Sequence, residues 1–234
     1  MIITSPDNAQ LKEIRRLART SARAKAGRFV AEGEDLVAEA AARGWEPVAL
    51  LCAEGSGLPG TEVTAELLAG VSSLGSGTRT IGIYETRWAV PTGPLCVYLH
   101  GVGDPGNVGT VLRSALAFGA DCVALGPGSA DPFSPKAVRA SMGAVFAVPV
   151  ARAASVEDLP GETVALEARG GAPLAGPASG PTTIVVGAER EGLPPDVLTA
   201  CDRVAHIPIA FESLNAAMAA TVALYELTHR ILAP

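Results

Sequence analysis

The sequence is poor in the groups that mark several common chemistries. Its four cysteines, Cys52, Cys96, Cys122 and Cys201, are far apart and form no C-x-x-C. With no C-x-x-C to combine with the three histidines, no metal site is expected. Aromatic residues make up only 4% of a chain that is 48% hydrophobic, so the apolar excess is alanine, valine and leucine. That composition buries a sizeable core and excludes a disordered chain. No apolar run reaches the ~18 residues of a membrane span. The start, MIITSPDNAQ, has neither the charged region nor the apolar region of a secretory leader. These absences describe a reduced, soluble, cytoplasmic protein with no membrane partner.

What is present is unevenly charged. The net charge is −6, yet residues 12–28 hold Lys12, Arg15, Arg16, Arg19, Arg23, Lys25 and Arg28 against Glu13 alone. That window is +6 and leaves −12 for the rest. A basic arm on an acidic body reads either as a polyanion contact or as a solvated helix face.

The 234 residues suit one large domain or two small ones. Ser5 or Asp7 is placed to cap a first helix with Leu11, Ile14 and Leu17 on its apolar side. A strand over 28–31, a helix ending near Gly44, the strand PVALLCA, a helix over TEVTAELLAGVSSL and the strand RTIGIYE follow. ETRWAVPTGP, with Pro91, Gly93 and Pro94, interrupts the alternation, which divides the chain into residues 1–88 and 89–234. Beyond it strands and helices alternate again, with VFAVPV expected as a strand and a final helix over about 213–232. The fold class is therefore α/β: a small N-terminal α/β domain, then a mostly parallel sheet with helices on both faces.

LHGVGDPGNVGTVLRSALAFGAD contains a G-x-G-x-x-G at Gly101, Gly103 and Gly106. A dinucleotide fold also needs an acidic residue at the far end of the second strand. Asp121 instead precedes the strand CVALG, Asp131 is a poor substitute, and Pro105 removes an amide donor from the loop. These points weigh against the nicotinamide reading, which stays as an oxidoreductase alternative. Val108, Val111, Leu112, Ala115 and Leu116 form the core stripe of the helix, and Arg113 lies about 130° off it. Taken alone, Arg113 is compatible with a surface arginine and Asn107 with a helix cap.

Two further stretches change that reading. IVVGAEREGLPPDVLTACDRVAHIPI runs strand, turn, helix, strand, and ESLNAAMAATVALYE opens the last helix with Ser213 and Asn215 at its mouth. With DPGNVGTVLRSALAFGA they resemble, in order and approximate spacing, the three motifs of the SpoU (TrmH-type) RNA ribose methyltransferases of the SPOUT superfamily. SMGAVFAVPV resembles that family's segment between the first two motifs. The N-terminal ITSPDNAQLKEIRRL and RFVAEGEDLV are similar to its substrate-binding domain.

The resemblance implies transfer of a methyl group from S-adenosylmethionine to a ribose 2′-hydroxyl of RNA, ribosomal RNA before transfer RNA. It implies a trefoil knot in the C-terminal domain, where pattern alone gives an open doubly wound sheet. It carries the cofactor site to Gly187, Ile207, Pro208, Ser213 and Leu214, and the catalytic group to Arg113, Asn107, Glu189, Ser213 and Asn215. A homodimer through the C-terminal domain is implied as well; the final helix, apolar on most faces at Met218, Val222, Leu224, Tyr225, Leu227 and Ile231, reads either as part of that contact or as a core helix of a single copy. The basic window then becomes an RNA arm of Arg15, Arg16, Arg19, Arg23, Lys25 and Arg28. Few aromatics accompany it, so recognition by shape or of a loop is expected there. Arginine stays protonated, so Arg113 is expected to clamp the phosphate beside the target ribose.

Two features depart from the family pattern. His100 stands where the family's usual aspartate precedes the glycine loop. Only Ala210 and Phe211 separate IPI from ESLN, about two residues short of the common form. His100 and His206 are expected to be structural. The alternative function is a non-catalytic RNA-binding or ribosome-assembly protein on a methyltransferase scaffold.

Overall fold

A computed structural model describes residues 2–73, 77–210 and 212–228. The first unit builds a four-stranded sheet. It runs α1 (Ala9–Leu17), α2 (Thr20–Ala26), β1 (Arg28–Glu32), α3 (Glu34–Ala42), β2 (Ala49–Ala53), β3 (Thr61–Val63), α4 (Ala65–Ala69) and β4 (Thr80–Glu85). The sheet order is β1-β4-β2-β3. Leu11, Ile14 and Leu17 are buried on α1. The cap of α1 is Asn8, whose side chain accepts from the Gln10 amide, and not Ser5 or Asp7. Asp7 is held instead by Lys12 at 2.8 Å. Over the described residues 61–73 the segment is not one helix: Thr61–Val63 pairs in parallel with β2, and only α4 is helical. The β-branched Thr61 and Val63 favour the sheet edge.

The second unit runs β5 (Leu95–Leu99), α5 (Pro105–Ala117), β6 (Cys122–Leu125), α6 (Pro135–Ala140), β7 (Val150–Arg152), β8 (Glu162–Leu166), β9 (Ala172–Pro173), β10 (Thr182–Val186), α7 (Pro195–Ala200), β11 (Arg203–His206) and α8 (Ala216–Thr228). Its seven strands lie in the order β7-β6-β5-β10-β8-β11-β9, every neighbouring pair parallel. All strand C-termini therefore share one edge, the edge where open parallel sheets bind ligands. The expected strand VFAVPV is split. Ala144–Phe146 forms a 3-10 turn that sends three successive side chains into the core, which alternating strand geometry cannot do. The expectation for Ile231 and Leu232 lies outside the described residues, as does that for Phe211. Among the described residues no helix is long and apolar enough to cross a membrane, and no group of acidic, histidine and cysteine side chains could hold a metal ion. All four cysteines are free.

The two sheets share one core. Phe29, Trp45 and Tyr84 of the first unit meet Phe146 of the second, and Phe29 also meets Phe133 at 4.9 Å between centroids. The Trp45 indole N–H donates to the Phe146 carbonyl at 2.9 Å. Arg23 completes the junction. Only 3% of it is exposed, and all five guanidinium N–H groups are used. They reach Asp131 through Nε and Nη2, the Leu17 and Ala18 carbonyls through Nη1, and Thr20 through Nη2. Arg23 was expected in the RNA arm; its burial removes it. The sequence pattern misleads because a buried arginine and a phosphate-binding one look alike until Asp131 is placed beside it.

Arg23→Ala strands the Asp131 carboxylate at the junction and is expected to cost about 3 kcal/mol. Arg19→Ala, at an exposed position, is expected to stay within about 0.5 kcal/mol; urea denaturation measures both. Burial pushes the Tyr84 phenol from 10 up to about 12, with Glu46 adding to the shift. Between those values the unfolded phenol ionises and the folded one does not, so stability falls as pH rises through the window. Tyr84→Phe is expected to flatten that decline in alkaline denaturation curves.

Candidate active site

The three motif regions meet in a chain of side-chain hydrogen bonds. Asp104 caps α5, accepting from the Gly106 and Asn107 amides, and Lys136 lies 2.9 Å from its carboxylate. Lys136 and these amides hold the Asp104 carboxyl below its ordinary range. Taken alone, Asn107 was compatible with a helix cap; with Asp104 in that role the Asn107 side chain is left for another task. Its Nδ2 donates to Glu189, and its Oδ1 accepts from Asn215 Nδ2 at 3.2 Å. Asn215 in turn caps α8, its Oδ1 accepting from the Ala217 amide at 3.0 Å and the Met218 amide at 3.3 Å. A carboxylate only accepts, so both amide orientations are determined.

Glu189 sits on a tight hairpin. Ala188 and Gly192 exchange both backbone hydrogen bonds, at 3.0 and 3.1 Å, and Gly192 takes φ +68°. The hairpin folds straight back over Gly187. A Cβ there would lie 2.3 Å from the Gly192 carbonyl carbon and 2.6 Å from the Leu193 nitrogen. Glycine at 187 is thus demanded by the protein's own backbone.

Under the hairpin lies a cavity of about 270 Å³ at the C-terminal ends of β10, β8 and β11. Gly187, Glu189, Ile207, Ser213 and Leu214 all line it, so the turns singled out in the sequence fold around one space. Ile207, Leu214, Ala216 and Ala219 give it an apolar side, and Glu167 and Glu189 give it carboxylates. Pro208 faces the neighbouring surface with His206 and Glu212 instead. Sequence reasoning missed Glu167, although it directly follows β8 and such positions at parallel-strand ends are where ligands bind.

Arg113 is not in this cavity. It lies six residues beyond Asn107 on α5, about 9 Å along the axis and about 120° around it, and it is exposed. The remaining basic residues of the arm divide. Arg28 pairs with Glu13 at 3.0 Å, and Arg15 donates to the Pro6 carbonyl. Arg16, Arg19 and Lys25 line one shallow surface depression. Asp121, the residue that failed the dinucleotide test, sits at the N-terminal end of β6 and accepts from the Leu95 amide at 2.9 Å. His100 is packed beside Tyr98, and His206 beside the Gly170 carbonyl.

A wholly parallel sheet with a small polar-and-apolar cavity at its C-terminal edge defines an α/β enzyme that binds a nucleoside-sized ligand. The comparisons with known proteins are more specific. Residues 94–225 match the model of the SpoU rRNA Methylase family, and residues 8–78 match that of the MRM3-like substrate binding domain. The chain belongs to the SpoU rRNA methylase family. It is 30% identical to the 23S rRNA (guanosine(2553)-2′-O)-methyltransferase RlmP of Bacillus subtilis, over 96% of this chain and 98% of that one. An S-adenosylmethionine-bound rRNA methyltransferase from Sinorhizobium meliloti superposes with a TM-score of 0.86 at 31% identity, covering 100% of this chain and 99% of the other. The SpoU methyltransferase AviRb from Streptomyces viridochromogenes, also with S-adenosylmethionine, gives 0.85 at 27% identity over 97% and 100%.

Asn215 holds both a helix cap and a link of the chain, and substitution separates the two. Asn215→Ala is expected to cost about 1 kcal/mol. Asn215→Asp keeps a good cap and is expected to recover most of that stability while losing the donor to Asn107. Denaturation curves of both variants measure the difference.

Proposed function

We propose that this chain is an S-adenosylmethionine-dependent RNA methyltransferase acting on a ribose 2′-hydroxyl, with ribosomal RNA as substrate in preference to transfer RNA. The observation that carries the reading is the hydrogen-bonded chain Glu189–Asn107–Asn215, which draws all three motif regions to the edge of one cavity. Family membership and the names of the similar rRNA 2′-O-methyltransferases support it.

The cavity's donor set fits the cofactor. Ile207 and Leu214 offer apolar walls for an adenine ring, and Glu189 and Glu167 offer negative charge to a sulfonium. Bound there, S-adenosylmethionine supplies an activated methyl group on a good leaving group. The protein's part is positioning, which is worth several kcal/mol in such a displacement. Asn107 and Ser213 orient the ribose; Arg113 grips the neighbouring phosphate. Residues 1–88 present the RNA, through Arg16, Arg19 and Lys25 with help from Arg15 and Arg28, and residues 89–234 carry the chemistry. A retained scaffold that only bound RNA would have no use for a cavity lined by Glu167, Glu189, Ile207 and Leu214.

The enzyme works in the cytoplasm as a homodimer, with the knotted trace of its family in residues 89–234. Met218, Val222 and Tyr225 recur at helical spacing on α8 and are exposed, Met218 by 61%. Leu116 on the neighbouring α5 is exposed too, and the two helices are joined by the Ser114–Thr221 hydrogen bond and the Phe118–Tyr225 ring contact. Such a stripe marks a protein interface. Arg113 is exposed on α5 and does not line its own cavity, so in this reading the second copy brings it to the site.

Arg113→Ala is expected to lower methyl transfer to ribosomal RNA on the order of a hundredfold or more, while calorimetry finds cofactor affinity unchanged. Leu214→Trp fills the cavity and is expected to abolish cofactor binding. Mixed after co-expression, the two inactive variants regain activity if the site is shared between copies; no recovery sinks the composite site, and full activity of Arg113→Ala alone sinks the role of the arginine.

A further inference from the structure

We infer that the RNA is also held at the junction of the two sheets, where Trp88 and Arg152 form a platform for one unstacked nucleobase on the same sheet edge as the cofactor cavity. The inference rests on the methyltransferase reading above and adds a contact outside the three motifs.

An open groove of about 1100 Å³ separates α2 from the ends of β6 and β7. On its wall the Arg152 guanidinium carbon lies 3.8 Å from the centre of the Trp88 ring. Phe133 meets the same indole edge-on at 5.1 Å and 88°, fixing its plane. Trp88 is nevertheless 36% exposed and Arg152 is exposed. Among the described residues no carboxylate pairs with Arg152. The carboxylates on the groove wall are occupied: Asp131 by Arg23, and Asp158 by the Ala154 and Ser155 amides. A planar cation, stacked on one side and open on the other, is a surface on which a nucleobase stacks without regard to its sequence.

The position of the platform decides for RNA. Arg152 ends β7 and Leu125 ends β6, and both strands are parallel to β5 and β10. The platform and the cofactor cavity therefore lie on the same edge of one sheet. In the order β7-β6-β5-β10-β8-β11 they are three to five strand spacings apart, about 15–25 Å. The far wall of the groove is α2, which carries Lys25, with Arg19 at its cap, on the depression described above. A polynucleotide running from that basic surface to Asn107 and Glu189 crosses the groove. A small metabolite would not need so long and open a path.

The test measures binding of protein-free bacterial 23S ribosomal RNA without cofactor. Trp45 is buried and Trp88 is not, so RNA is expected to quench the intrinsic fluorescence of the wild type and not that of Trp88→Phe, which keeps the ring contact with Phe133. Arg152→Ala is expected to weaken RNA binding by about tenfold, the value of one stacked base. Arg152→Lys keeps the charge but not the plane and is expected to resemble Arg152→Ala; cofactor affinity and thermal midpoint stay at wild-type values. Equal quenching in Trp88→Phe, or wild-type RNA affinity in Arg152→Ala or Arg152→Lys, overturns the platform alone. Failure of the wild type to bind the RNA overturns the methyltransferase reading and the platform with it.

Discussion

The hydrogen-bonded chain from Asn215 through Asn107 to Glu189 is the constraint on which the site depends. It is directional. The N-terminal amides of α8 donate to Asn215, Asn215 donates to Asn107, and Asn107 donates to the Glu189 carboxylate. The positive end of a helix dipole thus sits at one end of the chain and a full negative charge at the other. Each asparagine is held at both ends of its amide, so neither turns without breaking two bonds. The chain also explains why three stretches more than a hundred residues apart in total span keep a fixed relation: α5, the 188–192 hairpin and α8 are fastened to one another by side chains, beside the cavity that the hairpin and the start of α8 line.

The second constraint is the junction between the sheets. A chain with so few aromatic residues gathers Phe29, Trp45, Tyr84, Phe133 and Phe146 into one contact, and adds Trp88 at its rim. Ring pairs of this kind add about 0.5–1.5 kcal/mol each beyond simple burial. Arg23 and Asp131 contribute geometry more than energy, because a buried ion pair roughly offsets its own desolvation. Their use is register: the five bonds of Arg23 hold the α1–α2 turn against the loop after β6 in one arrangement. The proposed RNA surface on α2 and the cavity at β10 are then parts of one rigid body, and RNA need not reorder two loosely linked domains on binding.

Much of this was legible in the sequence, and the misses share a cause. Strand and helix alternation gave the parallel sheet because apolar runs such as TTIVVG and LCVYLH are unambiguous when both faces are covered. Gly187, Ile207, Ser213 and Leu214 were found as neighbours because the resemblance ordered the motifs. What failed was partner choice. Nothing in the window 12–28 tells Arg23 from Arg19, since the distinguishing residue, Asp131, is 108 positions away. Gly187 was read as a point of close approach for a ligand, whereas the space a side chain would take there is filled by the returning hairpin. Pro208 was placed by adjacency to Ile207, but successive residues of an extended segment face opposite ways. The turn at 144–146 was read as strand because valine and phenylalanine favour sheets, while the junction needed three side chains on the same side.

The position of Arg113 bears on why a small enzyme of this kind would be built as a pair. Arg113 is absent from the cavity lining, where Glu167 and Glu189 stand together with Arg190. On α5 it is kept apart from both, about 9 Å and a third of a turn from Asn107. Under the proposed assembly it meets the site only when the apolar stripe of α8 is covered. Burying Met218, Val222 and Tyr225 then provides the free energy that brings a desolvated guanidinium close to acidic groups. The separation of Arg113 from its own cavity, which weighs against catalysis in a single copy, is what a shared site requires.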